Sequence, residues 1–236
     1  CSMQDSYGFL WFGTKDGLSR YDSRQFEIYR YNPQDQSSIS SSLNINALLT
    51  DSKGNLWVGT QNGLNKYLPE SNSFIRFQYD PKQENTLSNN VIRCIYEDRE
   101  NNIWIGTDSG LNKLIDGKYF ERFISDSGKG IAHNIVKAIY QDQDHTMWIG
   151  TQNGLTTMVF KNNKYRFKTY LHQDNDINSL TANDINSITG DLNHNIWIGT
   201  HFKGLNLFDK TSSTFKHFTQ QAGTGLSSNV IRKIKV

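Results

Sequence analysis

Asn102-Ile103-Trp104-Ile105-Gly106-Thr107-Asp108-Ser109-Gly110-Leu111-Asn112 is the stretch that decides the fold of this 236-residue chain. Ile103 to Thr107 is a short β-forming run around one large aromatic. Asp108-Ser109-Gly110 is a turn cluster, and Leu111-Asn112-Lys113-Leu114-Ile115 resumes a strand pattern. Upstream, residues 90–97 form another β-rich run, closed by the turn cluster Asp98-Arg99-Glu100-Asn101-Asn102. Downstream, residues 119–124 form a fourth run. Four short strands with turn signals between them describe a small antiparallel meander, and no helical periodicity competes with it.

The central phrase recurs. Copies begin at Trp11, Trp57, Trp104, Trp148 and Trp197, separated by 46, 47, 44 and 49 residues. Regular spacing in the mid-forties marks a repeat architecture. An aspartate stands six residues before each tryptophan (Asp5, Asp51, Asp98, Asp142, Asp191), placed to accept backbone N–H groups two or three residues on. Three residues before each tryptophan come Gly8, Gly54, Asn101, His145 and His194, types that tolerate the positive φ of a tight turn. Gly17, Gly63, Gly110, Gly154 and Gly204 make the next turn. The fourth strand carries Phe26/Tyr29, Phe74/Phe77, Phe120/Phe123, Phe167/Tyr170 and Phe215/Phe218. Residues three apart in a strand face opposite sides, so this strand packs on both faces. A four-stranded sheet with two apolar faces needs a neighbour on each side. Radial stacking of such sheets is a β-propeller, all-β, with each unit a blade and the tryptophans packed between blades.

The units run 1–42, 43–89, 90–133, 134–182 and 183–228, with 229–236 read as the first strand of a further blade in one continuous propeller segment. Two arrangements remain open. The last strand completes the first blade in a five-bladed ring, or the chain is an excerpt of a longer propeller. Lys233 occupies a position that is small in the full units, which favours the excerpt.

Net charge is +2 with acids and bases interleaved, so no basic stripe points to nucleic acid. No apolar run reaches the length of a membrane span, and no signal peptide is visible. Cys1 and Cys94 occupy the same small-residue strand position two units apart, too far for a disulfide.

Asn55-Leu56-Trp57-Val58-Gly59-Thr60 through Gly63-Leu64-Asn65, its counterpart at 102–112, and the opening Gln4-Asp5-Ser6-Tyr7-Gly8-Phe9-Leu10-Trp11 closely resemble two-component-regulator propeller repeats. The resemblance covers essentially the whole chain. It implies a segment of the N-terminal seven-bladed propeller in the periplasmic sensor of a hybrid two-component histidine kinase. It further implies a second propeller and a β-sandwich in the same sensor, a homodimer anchored in the inner membrane, and an oligosaccharide ligand controlling polysaccharide-utilisation genes. The kinase would lie elsewhere, since nothing here matches an ATP-binding or phosphoacceptor motif. The fifth unit departs from the pattern with Thr200-His201-Phe202-Lys203-Gly204, one residue longer than its counterparts, and Leu43 stands where later units carry asparagine.

Candidate binding residues follow from propeller geometry. The loops 31–42, 79–90, 124–133, 170–183 and 219–229 share a face with the turns holding Asp108 and His201-Phe202-Lys203. Amide-rich concavities dotted with aromatics suit sugar hydroxyls and sugar C–H faces. Near the start of the inner strands, Asn46, Arg93, Lys137 and Asn186 form a polar, net-basic set, with Arg232 in the last unit. Such cations suit carboxylate or sulfate groups on an acidic oligosaccharide, or else they salt-bridge neighbouring blades. Two further classes are expected to be absent. The arginines occupy unrelated blade positions and the histidines show no acid–base pairing, so no catalytic residue or cofactor is assigned. Asp142/Asp144 and Asp98/Glu100/Asn102 lack an EF-hand pattern and read as hydrogen-bonded turns, with no metal assigned. A structural scaffold with ligand contacts elsewhere is the main rival, and a propeller lyase or glycosidase the third reading.

Overall fold

A computed structural model describes residues 1–126, 130–222 and 225–235. Among them, twenty strands form five four-stranded antiparallel sheets, each with its strands in chain order. The first holds β1 (Ser2–Gln4), β2 (Leu10–Gly13), β3 (Leu18–Tyr21) and β4 (Phe26–Tyr29). The second holds β5 (Ala47–Thr50), β6 (Leu56–Thr60), β7 (Gly63–Leu68) and β8 (Ser73–Phe77). The third holds β9 (Ile92–Glu97), β10 (Ile103–Thr107), β11 (Gly110–Ile115) and β12 (Tyr119–Phe123). The fourth holds β13 (Val136–Gln141), β14 (Met147–Thr151), β15 (Gly154–Lys161) and β16 (Lys164–Tyr170). The fifth holds β17 (Ile185–Gly190), β18 (Ile196–Thr200), β19 (Leu205–Asp209) and β20 (Thr214–Phe218). These are propeller blades. The chain divides into two compact units, Cys1–Arg122 and Phe123–Val236.

Local chemistry fixes each blade. The turn between its first two strands is tied by the aspartate: Asp51 Oδ1 accepts from the N–H of Lys53 at 3.0 Å and of Asn55 at 2.8 Å. The second bond spans four residues, one more than the sequence suggested, because Asn55 resumes the strand. Gly8, Gly54, Asn101, His145 and His194 all take positive φ there, as their residue types predicted. Asp51 Oδ2 also accepts the indole N–H of Trp57 at 2.8 Å. At the next turn, Gly63 has φ +125, and a Cβ there would sit 2.6 Å from the carbonyl oxygen of Phe77. The threonine hydroxyl ahead of it bridges the turn, Thr60 Oγ1 donating to Gly63 O at 3.0 Å and accepting from Asn62 N–H.

Sheets stack through their tryptophans. Within the first unit, Trp11, Leu18, Tyr29, Ile39, Ile45, Val58, Tyr67 and Phe74 fill the layer between the first and second sheets. Trp57, Leu64, Leu87, Ile92, Ile105 and Phe120 fill the layer between the second and third. Phe74 thus faces one layer, whereas Phe77, three residues on, packs against Trp57 in the other. In the second unit Trp148, Leu155, Leu180, Ile185, Ile198, Phe208 and Phe215 repeat the arrangement. Each fully buried aromatic or aliphatic side chain contributes roughly 1.5–3 kcal/mol. Gly59 lets the next sheet close in, since a Cβ there would meet Ile92 at 2.6 Å.

A buried polar network ties each incoming loop to its blade. Asn65 Oδ1 accepts from Ser40 N–H at 2.8 Å, while its Nδ2 donates to Ser40 Oγ and Val58 O. Asn112 does the same for Ser88, and Asn206 for Thr181. Residues 229–235 run beside the fifth sheet, with Ile231 N–H on Thr200 O and Ile234 N–H on Ser187 Oγ. They join no sheet among the described residues.

Candidate functional site

The polar set read from the inner strands sits on a recurring irregularity. Register shifts leave Arg93, Lys137 and Asn186 as extra residues between Ile92 and Cys94, Val136 and Ala138, and Ile185 and Ser187. Asn46 precedes β5 in the equivalent place, its N–H bonded to Gly59 O. A bulge releases its side chain from the sheet's alternation and re-aims it. Each side chain then finds a protein partner. Asn46 Nδ2 donates to Ile92 O at 2.8 Å, and Asn186 Nδ2 to Ile231 O at 3.0 Å. Arg93 Nε lies 2.5 Å from Asp108 Oδ1 and its Nη2 3.1 Å from Oδ2, a bidentate pair. The hydrogen bond to Asp108 holds the guanidinium pKa above its ordinary value.

The second unit assembles more of the predicted residues. Lys137 Nζ donates to Asp184 Oδ1 at 2.6 Å, and His201 Nδ1 lies 3.1 Å from Asp184 Oδ2. The His201 ring stacks on Phe202 with centroids 3.9 Å apart, and Phe202 is 64% exposed. A cation, a carboxylate, an imidazole and an open aromatic face therefore occupy one patch. Lys203 lies beside it, lining a cleft of about 390 Å³ with His172, Asp174, Thr181 and His217. Asp184 is the member that sequence reasoning missed. Its signal is nonetheless present, since Val91, Ile135 and Val230 hold that register in other units.

The amide-rich loops are largely bound into the fold. Arg76 reaches back to Ser38 O, Asp35 O and Ser38 Oγ, and Arg122 to Thr86 O, Gln83 O and Leu87 O. His217 Nε2 meets Ser179 O at 2.6 Å in the fifth sheet. Asn90, Asn134, Asn183 and Asn229 each close a loop by accepting a backbone N–H. Ser42 Oγ does so for the loop that leads into the second sheet, which frees Leu43 to differ. Residues 127–129 and 223–224 of two expected loops lie outside the described residues. A second cleft, of about 860 Å³, lies along the β19–β20 hairpin and is lined by Asn178, His194, Asn195, Lys210, Thr211 and Phe215.

The Asp142–Asp144 turn holds a protein cation, whereas Asp98 accepts from backbone N–H groups, Asn102 and Trp104. Lys210 Nζ bridges Asp142 Oδ2 at 2.9 Å and Asp144 Oδ2 at 2.6 Å. Among the described residues no group of three metal-ligating side chains is found. Cys1 and Cys94 are not joined in a disulfide, and desolvation pushes the half-buried Cys94 thiol up to about 12.

Residues 38–62, 86–109 and 130–153 match the two-component regulator propeller family. The chain carries two-component regulator propeller repeats. Each matched stretch runs from the incoming loop to the turn after the tryptophan strand. Over 37 residues, 16% of this chain and 3% of the relative, the repeats are 57% identical to a protein named histidine kinase P4 of Formosa agariphila. They superpose on the extracellular domain of a hybrid two-component system of B. thetaiotaomicron with a TM-score of 0.78 and 29% identity. That match covers 91% of this chain and 29% of the solved one. PorZ, a surface component of the type-IX secretion system of Porphyromonas gingivalis, gives a TM-score of 0.72 over 99% of this chain and 35% of its own. At 17% identity it shares the fold alone. The chain thus spans about three-tenths of the solved sensor domain and a small fraction of the curated kinase.

Proposed function

We propose that this chain is part of the extracytoplasmic sensor of a hybrid two-component histidine kinase, and that its loop face contacts an oligosaccharide. The observation that carries the reading is the match over nine-tenths of the chain to the extracellular domain of such a system. The patch around Asp184 supports the ligand class. An exposed phenyl ring offers a stacking surface to a sugar ring, and Lys137 and His201 offer hydrogen-bond donors beside it. On this reading the full sensor lies in the periplasm as a homodimer, with further blades, a second propeller and a β-sandwich, and the kinase reaction belongs to a separate part. This segment's role is non-catalytic. A ligand that binds one arrangement of the dimer better than another shifts the population that the kinase reports.

A scaffold reading is favoured by a different observation. Arg93, Lys137, Asn46 and Asn186 already satisfy partners inside the protein, so a ligand must compete with Asp108 or Asp184 for the cations. The two readings separate by thermal unfolding of the complete extracytoplasmic region against neutral and acidic oligosaccharides, each glycan recovered and sized afterwards. A ligand at 100 times its Kd stabilises the native state by about 2.7 kcal/mol. The sensor reading predicts a raised midpoint with one glycan class recovered intact. No shift across the panel supports the scaffold, and a shortened glycan supports an enzyme.

A further inference from the structure

The hairpin β15–β16 departs from its counterparts in length and charge. Its strands span eight and seven residues, against six and five in the third sheet and five and five in the fifth. Asn162 and Asn163, at φ +54 and +59, form a two-residue turn of the kind that keeps strand twist regular to the tip. Lys161, Lys164, Arg166 and Lys168 lie in this hairpin, which contains no acid. It therefore carries +4 of a chain whose net charge is +2, leaving the remainder at −2.

Register concentrates that charge on one face. Lys161 pairs with Lys164, Val159 with Arg166, and Thr157 with Lys168. Directly paired residues project to the same side, so all four cations stand together. Phe160–Tyr165 and Met158–Phe167 occupy the other side, where Phe123 packs 4.9 Å from Tyr165. Lysines placed directly opposite each other destabilise a hairpin. Among the described residues none of the four has a carboxylate within ion-pair distance, whereas Arg20, Arg30, Arg93, Lys137 and Lys210 each have one. Arg76 and Arg122, on the outer strands of the second and third sheets, are by contrast drawn inward by their loops, while Lys168 lies over the Tyr170 ring at 4.7 Å. Guarding a sheet edge against aggregation takes a lysine or two, not an unneutralised row.

We propose that β16 is a docking edge for an extended acidic segment of a partner protein, which adds to this sheet as a fifth strand. β16 is the outer strand, with no neighbour on its far side among the described residues. The pair flanking a two-residue turn is hydrogen-bonded, so Lys164, Arg166 and Lys168 direct their main-chain groups to β15. Tyr165, Phe167 and Thr169 present theirs outward. The three cations recur every second residue, about 7 Å apart, the spacing of alternate side chains on an added strand. Main-chain bonds supply affinity in this mode and alternate side chains supply specificity. A second copy of β16 is a poor occupant, because it would bring the same cations face to face. The surface is independent of any ligand on the loop face.

The test is fluorescence anisotropy of the full chain with a labelled peptide, Glu-Thr-Glu-Val-Glu-Thr-Glu, and with the same peptide N-methylated between the glutamates. The expected result is binding that weakens by about tenfold or more on N-methylation, and likewise in Lys164→Gln/Arg166→Gln with an unchanged unfolding midpoint. Equal affinity for the methylated peptide reduces the surface to charge attraction and overturns strand addition. Binding of dextran sulfate or of one-to-one phosphatidylglycerol–phosphatidylcholine vesicles, with none of the peptide, overturns it in favour of a polyanionic glycan or a lipid surface. No binding of any probe also overturns it.

Discussion

Trp104 Nε1 donates a 2.7 Å hydrogen bond to Oδ2 of Asp98, the residue six positions earlier that also ties its turn together. The same bond occurs in every sheet: Trp11 to Asp5, Trp57 to Asp51, Trp148 to Asp142 and Trp197 to Asp191, at 2.7–3.0 Å. One carboxylate thus satisfies the turn's N–H groups through Oδ1 and the indole through Oδ2. It fixes the ring that packs between blades, which links turn geometry to stacking in one group.

Removing either partner strands the other in a buried site. Asp98 is 6% exposed and Trp104 2%. Asp98→Ala is expected to cost about 3 kcal/mol and Trp104→Phe about 2 kcal/mol, from unsatisfied groups on top of lost packing. The double variant should cost less than the sum by about 1–2 kcal/mol. Chemical denaturation of the four proteins checks this, and strict additivity would refute the coupling.

The fifth pair has a pH signature. Asp191 is lowered to about 2, first by the hydrogen bond from Trp197 and then by that from Asn195. A carboxyl depressed on folding contributes stability that is present above its unfolded pKa near 4. That contribution fades as pH falls from about 4 towards 2. Trp197→Phe should raise the Asp191 pKa, read from its carboxyl carbon by NMR, and should blunt acid destabilisation in that window. An unchanged titration would separate the indole from the shift.

Gly63 and Gly117 both take positive φ, at +125 and +68, but of the two only Gly63 would bring an added Cβ against a backbone oxygen, at 2.6 Å. Gly63→Ala should therefore cost about 3 kcal/mol, and Gly117→Ala about 1 kcal/mol from backbone strain alone. Unfolding midpoints of the two variants rank them, and equal losses would contradict the steric account.

The blade architecture was legible in the sequence because each position has a local cause. Asn101 and His145 announce positive φ, Gly63 a tight turn, and Phe74 with Phe77 a strand packed on both sides. The Trp–Asp bond was less visible, since six residues across a turn give no direct sign that an indole meets a carboxylate. Partners of the candidate site were hardest to read. Arg93 meets Asp108 and Lys137 meets Asp184 through contacts between segments 15 and 47 residues apart. Strand pairing and sheet stacking set these, and repeat spacing does not encode them. The basic face of β16 was hidden for the same reason, because only the pairing register puts Lys161 and Lys164 on one side.

Cys94, with its thiol pushed up to about 12 by desolvation, should stay almost wholly protonated at pH 8 and react slowly with a disulfide reagent. The expected result is release of the Cys94 thiol to the reagent only on unfolding, followed in a Cys1→Ser background. Rapid reaction in the native protein would contradict the burial of this strand position.

Isothermal titration of an oligosaccharide that raises the sensor's unfolding midpoint, into wild type and into Lys137→Ala, Phe202→Ala and Glu27→Ala forms of the complete extracytoplasmic region, is the most direct test of the central claim. The account predicts affinity lost by about tenfold or more in Lys137→Ala and Phe202→Ala and kept in Glu27→Ala. One Kd shared by all four proteins would place ligand recognition outside the loop face of this chain.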